Sequence, residues 1–106
     1  HTAVHDAVVK AVETVDTCVG KIIDWCKEND ATLIVTADHG NAEYILDDNN
    51  KPFTAHTTNL VPFCINRTDI KLKQAEGKLA DIAPTMIELL GREKPVEMTG
   101  ESLIVK

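Results

Sequence analysis

The stretch Leu33-Ile34-Val35-Thr36-Ala37-Asp38-His39-Gly40 joins an apolar run to two polar side chains and a glycine. Thr32 to Thr36 is a β-branched run without alternation, which is typical of a strand covered on both faces. Asp and His together offer an oxygen and a nitrogen donor suited to Mn or Zn. Neighbours on a continuing strand point to opposite faces, so they can share one ion only where the chain turns, which Gly40-Asn41 permits. The stretch predicts a buried strand that ends at a metal site.

A long amphipathic helix is predicted before this strand, from about residue 3 to 28, because apolar residues recur there with helical spacing. Asn29 is expected to take the left-handed conformation that ends it. A helix that leads into a buried strand across a few polar residues is typical of an αβ unit in a largely parallel sheet. Trp25 and the helix cysteines are predicted to lie in the core.

Residues 60–65 predict a second strand, and Pro62 places it at a sheet edge or marks the first residues of the strand. Asp81 is expected to cap a second helix, with Pro84 in its first turn and Gly91 at its end. Two strands cannot make a covered parallel sheet by themselves. The predicted fold class is therefore α/β, as a portion of a mostly parallel sheet flanked by helices.

The bulk composition indicates a soluble globular protein. Its 106 residues make a single domain over 1–106 at most, with 43% hydrophobic and 26% charged residues. The net charge of −6 argues against nucleic acid and anionic membranes as partners. Three cysteines without a CxxC spacing favour packed, reduced thiols and the cytoplasm.

Two further histidines enter as candidate ligands. His56 follows His39 by seventeen positions and precedes the second predicted strand, so Asp38, His39 and His56 all fall near strand ends, where open α/β sheets bind ligands. Taken alone, His56 is more simply a hydrogen-bonded loop residue, and Asp38 alone a turn cap. His1 and His5 lie at i, i+4 on one helix face, and His5 is expected to be solvated.

Four segments together resemble the cofactor-independent phosphoglycerate mutase family, which is alkaline-phosphatase-like. They are Thr36-Ala37-Asp38-His39-Gly40-Asn41-Ala42-Glu43, Thr54-Ala55-His56-Thr57-Thr58-Asn59, Leu79-Ala80-Asp81-Ile82-Ala83-Pro84-Thr85 and Glu97-Met98-Thr99-Gly100. The resemblance runs through essentially all of the chain, in order and at the right spacing. It implies an alkaline-phosphatase-like sheet, and the chain resembles the C-terminal part of the phosphatase-like domain.

The resemblance also implies the chemistry. Family members interconvert 3-phosphoglycerate and 2-phosphoglycerate through a phosphoserine beside two divalent ions, often manganese, with Mg, Co or Zn as alternatives. Asp38 and His39 match the ligand pair of one ion, and His56 matches a ligand of the other. His1 matches a histidine that would join His56, although Ala3 stands where that motif has glycine. The family's nucleophilic serine, further aspartates and inserted substrate-binding domain have no counterpart here, so this chain alone is expected to be inactive.

Two other readings stay open. One is a different metal-dependent phosphatase or phosphomutase of the same superfamily, such as a phosphopentomutase. The other is a non-catalytic module that self-associates through exposed sheet edges.

Overall fold

The structure is a computed structural model that describes residues 3–105. Its elements in chain order are helix α1 (His5–Asn29), strands β1 (Ile34–Thr36) and β2 (Phe63–Ile65), a single 3-10 turn (Leu79–Asp81) and helix α2 (Ile82–Leu89). The chain divides into two compact units, the first ending at Asn66 and the second beginning at Arg67. A single domain over 1–106 stays a prediction, because units this small can belong to one domain. Neither helix in the described part of the chain is long and apolar enough to cross a membrane.

Helix α1 confirms the predicted helix within two residues at each end. Asp30, rather than Asn29, takes the left-handed conformation, with a φ of 51°. A short polar side chain tolerates this conformation better than most, and the amide of Ala31 then donates to the carbonyl of Cys26 at 2.9 Å. The helix therefore ends through this backbone hydrogen bond, and the side-chain amide of Asn29 also donates to the carbonyl of Trp25 at 2.8 Å.

The apolar stripe of α1 is largely exposed. The predicted core position of Trp25 is wrong, since 57% of that residue is accessible, and Val12 and Val15 are exposed as well. Cys26 is buried, whereas Cys18 and Cys64 are exposed free thiols, so the expectation of packed cysteines holds for Cys26 alone. A helical period reports which residues share a face, but whether that face is covered depends on neighbouring chain.

The two strands confirm an α/β class but not a parallel sheet. β1 and β2 pair antiparallel, with Ile34 opposite Ile65 and Thr36 opposite Phe63. Parallel pairing needs a crossover, usually a helix, and the fully described stretch between Thr36 and Phe63 contains none. The chain instead returns through loops and pairs antiparallel.

Side chains hold both ends of this strand pair. Asn66 accepts from the amide of Leu33 at 2.7 Å and donates to the carbonyl of Ala31 at 3.2 Å. At the other end the hydroxyl of Thr36 donates to the carbonyl of Pro62 at 2.8 Å. Proline has no amide to give to a ladder, and β2 begins only at the next residue, so the strand is three residues shorter than the predicted 60–65 and leaves Pro62 outside it. Because Thr36 pairs with Phe63, the loop that follows β1 and the loop that precedes β2 lie at the same end of the strand pair.

Helix α2 lies where predicted, but Asp81 acts differently from a helix cap. Its carboxylate makes no capping bond to α2. It accepts instead from the amides of Lys78 at 3.0 Å and Glu101 at 2.9 Å, and so ties the 3-10 turn to the C-terminal segment. The predicted stop is confirmed: Gly91 has a φ of +70° and donates to Glu88, while Arg92 donates to Ile87, the paired bonds of a Schellman motif.

Candidate metal centre

The chain bends at Asp38-His39, directly after β1. The bend turns both side chains to the same side, with Asp38 Oδ1 and His39 Nε2 3.5 Å apart. Two ligands each about 2.1 Å from one tetrahedral ion lie roughly 3.4 Å apart. The sequence requirement that the chain must turn is met, and the spacing fits an oxygen and a nitrogen donor to one ion.

A backbone contact orients the imidazole of His39. Its Nδ1 lies 3.0 Å from the carbonyl oxygen of Gly40. When Nδ1 carries the proton and donates there, Nε2 has the lone pair that a metal needs. Metal-binding histidines commonly have such a partner on the second ring nitrogen, because it fixes the tautomer and the ring orientation. The donor set thus fits a divalent ion in chemistry as well as spacing.

His56 is brought to this pair from the loop before β2. Its ring stacks on that of His39, with centroids 3.5 Å apart and planes 12° from parallel. The backbones of the two loops pair beneath the rings: Thr57 donates to Gly40 at 2.9 Å, and Gly40 donates to Thr57 at 3.3 Å. Asp38, His39 and His56, predicted from separate segments, therefore lie together.

Glu43 is a residue of this region that the sequence did not single out. Its carboxylate accepts from the hydroxyl of Thr57 at 2.5 Å, the side-chain amide of Asn59 at 2.8 Å and the backbone amide of Asn41 at 2.6 Å. These bonds, first that from Thr57 and then that from Asn59, lower the pKa of Glu43 to about 2. The sequence signal was present in the motif that ends in Glu43 and in Thr57-Thr58-Asn59, but neither implies the contact.

Gly40 is needed for space rather than for an unusual backbone angle. Among the described glycines, positive φ is found at Gly91 and not at Gly40. A Cβ at Gly40 would come within 2.0 Å of the Thr57 hydroxyl and 2.6 Å of the Glu43 carboxylate. The residue is buried between them. Only a missing side chain lets the two loops approach this closely.

The donors that this chain supplies are a partial set. Over residues 3–105 no group of three or more His, Cys, Asp and Glu side chains is placed to hold one metal ion. His1, the fourth predicted ligand, lies outside the described residues, and His5 is exposed at the start of α1, as expected. Divalent ions take four or more ligands, so any ion held here needs further donors from elsewhere.

Comparison with known proteins identifies the family of the chain. The profile of the Metalloenzyme superfamily matches residues 1–94. The chain is 57% identical over 106 residues to a 2,3-bisphosphoglycerate-independent phosphoglycerate mutase of Clostridium novyi, with 97% of this chain covered. The enzymes of that name from Clostridium botulinum and Synechococcus elongatus are 56% and 48% identical, each over 98% of the chain. The chain spans about 21% of the length of these relatives. It belongs to the Metalloenzyme superfamily.

Proposed function

We propose that the chain is part of a 2,3-bisphosphoglycerate-independent phosphoglycerate mutase, which interconverts 3-phosphoglycerate and 2-phosphoglycerate. The observation that carries this proposal is the meeting of Asp38, His39 and His56 at one point after β1 and before β2. The names of the relatives, which match nearly the whole chain, supply the substrate. A phosphoglycerate is anionic and the chain has a net charge of −6, so a bound cation or local basic residues would be needed to offset that field.

Each donor has a proposed role. Asp38 and His39 would hold one divalent ion and His56 the other, where His1 would join it. Two such ions neutralise phosphate, lower the pKa of a serine hydroxyl and stabilise charge on a transferring phosphoryl group. Manganese is the ion proposed, with Mg, Co and Zn as alternatives. The chain's own contribution is to orient His39 through Gly40 and to fix the two loops against each other.

The remaining parts of the centre are proposed to lie elsewhere in the protein. The chain would be the C-terminal part of an alkaline-phosphatase-like domain whose mostly parallel sheet continues beyond β1 and β2. The serine nucleophile, further aspartates and an inserted substrate-binding domain would complete it in a cytoplasmic enzyme. The coverage of 21% of the relatives' length supports this division. The 106-residue chain by itself is then expected to show no mutase turnover, even with Mn²⁺.

The test is turnover of 3-phosphoglycerate by the complete enzyme in the presence of Mn²⁺. Asp38→Asn removes half of the carboxylate's donor capacity and should lower turnover by more than about 100-fold, the upper end of losses from second-shell changes alone. Asp16→Asn, a matched change on the exposed surface of α1, should leave it unchanged. Turnover retained in Asp38→Asn would contradict the role of that residue. A wild-type enzyme that turns over a phosphopentose and not phosphoglycerate would assign the chain to the other phosphomutase class.

A further inference from the structure

We propose that Glu43 is a positioning residue that fixes the separation of the two metal-binding loops by holding the His56 loop against the Asp38-His39 loop. The proposal rests on the proposed function for the identity of the ligands it positions. It assigns to Glu43 no contact with substrate or metal.

The carboxylate of Glu43 spans the two loops. One oxygen, Oε1, accepts from the backbone amide of Asn41, two residues after His39. The other, Oε2, accepts from the side chains of Thr57 and Asn59, one and three residues after His56. A single rigid group is therefore bonded to the chain beyond each histidine, so it limits how far the loops can separate.

This support matters because neither loop belongs to a regular element. Both lie outside β1 and β2, and His56 is exposed. Apart from Glu43, the loops are joined by two backbone bonds between Gly40 and Thr57, one of them long at 3.3 Å, and by a bond from the side-chain amide of Asn41 to the carbonyl of Ala55, also at 3.3 Å. Hydrogen bonds to an ionised carboxylate are roughly twice as strong as neutral ones. Glu43 therefore adds more to loop pairing than another neutral side chain would.

The bonding pattern favours positioning over ligation for Glu43 itself. Both of its oxygens already accept hydrogen bonds, Oε1 from the amide of Asn41 and Oε2 from the side chains of Thr57 and Asn59. At Oε2 a metal would have to displace one of two donors, which lie at 2.5 and 2.8 Å.

The test measures binding of Mn²⁺ alone to the complete enzyme, by the loss of the free-ion electron paramagnetic resonance signal. Glu43→Gln keeps the volume of the side chain but replaces one acceptor oxygen with an NH₂ donor. The variant therefore cannot accept hydrogen bonds both from the amide of Asn41 and from the side chains of Thr57 and Asn59. Mn²⁺ affinity should fall on the order of 10- to 100-fold, as for other second-shell partners. The spectrum of the doubly loaded enzyme should also change, because coupling between two Mn²⁺ ions depends on their separation. Glu76→Gln, the same change at an exposed position, should bind like wild type.

A second pair of variants tests the same bond from its other side. Thr57→Val removes the hydroxyl at similar shape and should weaken Mn²⁺ binding, whereas Thr57→Ser keeps the hydroxyl and should restore it. This pair decides the question if Glu43→Gln does not fold. A serine variant as weak as the valine variant would overturn the proposal, because the hydroxyl would then be irrelevant.

The outcomes separate this proposal from the proposed function. Mn²⁺ affinity and spectrum unchanged in both Glu43→Gln and Thr57→Val would overturn the positioning role while leaving mutase turnover untouched. Loss of every bound ion in Glu43→Gln, with Thr57→Val like wild type, would make Glu43 a ligand and overturn positioning as well. Normal Mn²⁺ binding by a wild-type enzyme without turnover of 3-phosphoglycerate would overturn the function alone.

Discussion

At the scale of single residues, the loop that carries Asp38 and His39 can pack against the loop that carries His56 because Gly40 has no side chain. A methyl group there would collide with the hydroxyl of Thr57 and the carboxylate of Glu43. Both partners are held by each other, so neither can move without breaking their bond. Close approach of two chains, rather than backbone freedom, is what the glycine provides.

Gly40→Ala is expected to loosen the pairing of the two loops by about 1–3 kcal/mol, the usual cost of overpacking a tight contact. The readout is hydrogen exchange of the Thr57 amide, which donates to Gly40 and should exchange faster by about tenfold for each 1.4 kcal/mol lost. Gly20→Ala is the matched control, since a Cβ at Gly20 meets nothing within 4 Å. Equal protection of Thr57 in the two variants would show that the loops are not packed as described.

Asp81 should give a pH signature of its own. The amide of Glu101, followed by the amide and ammonium group of Lys78, lowers the pKa of Asp81 from 3.8 to about 2. A depressed carboxyl pKa stabilises the folded state above the unfolded value, so this contribution is complete above about pH 4 and lost as the pH falls from there to 2. Carboxyl-carbon NMR of Asp81, assigned with Asp81→Asn, measures it directly. A midpoint near 3.8 would mean that the three bonds do not persist in solution.

The sequence predicted the donor residues of the site but not the residue that links them. Asp38, His39 and His56 stand out because their chemistry is rare at strand ends. Glu43 looks like any surface acid until its partners are known, and Thr57 and Asn59 lie 14 and 16 positions away. Hydrogen bonds across loops depend on tertiary approach, which residue type and spacing do not encode.

At the scale of elements, one buried hydroxyl connects α2 to the C-terminal segment. Thr85 has no exposed surface, and its Oγ1 donates to the carbonyl of Asp81 at 2.7 Å and accepts from the amide of Leu103 at 2.9 Å. A threonine can serve both directions because a hydroxyl is at once a donor and an acceptor. The side chain thus replaces backbone pairing between a helix and an extended segment.

Thr85→Val is expected to destabilise the second unit by about 1–3 kcal/mol, because the amide of Leu103 loses its partner at the same shape and volume. Hydrogen exchange of the Leu103 amide measures the local effect. The exposed Thr68 supplies the control, and Thr68→Val should leave that amide protected. If the Leu103 amide exchanges as slowly in Thr85→Val as in the wild type, the hydrogen bond from that amide to Thr85 does not help to hold the C-terminal segment.

Element types and bounds were more predictable than the direction of strand pairing. Both helices lie where periodicity and stop residues placed them, because these signals are local. The antiparallel pairing of β1 and β2 was not expected, since strand direction depends on the path of the 26 residues between Thr36 and Phe63. That path contains no helix, and hydrophobic pattern alone does not reveal how it returns.

At the scale of the whole molecule, the exposed apolar stripe of α1 and the edges of the short two-stranded sheet are surfaces that the proposed larger protein would cover. Val15 and Trp25 are more than half exposed on a 25-residue helix that has one buried residue in its described part, Cys26. Each strand of the pair also has one unpaired edge. The chain's 21% share of its relatives' length agrees with this picture.

The 106-residue chain by itself is therefore expected to self-associate. Unpaired strand edges and an uncovered apolar stripe both favour contacts between copies. Size-exclusion chromatography with light scattering should give a mass of at least twice 11.6 kDa. A well-folded monomer at high concentration would remove the argument that these surfaces need a cover.

The central claim, that Asp38 and His39 hold one ion and His56 the other, is tested most directly by the number of Mn²⁺ ions bound per complete enzyme. The wild-type enzyme should bind two. Asp38→Ala should weaken binding of the ion that Asp38 and His39 hold and leave the second ion tightly bound. His56→Ala should weaken binding of that second ion. Two ions bound with unchanged affinity in both variants would contradict the account, because the meeting of these side chains after β1 would then have no part in holding metal.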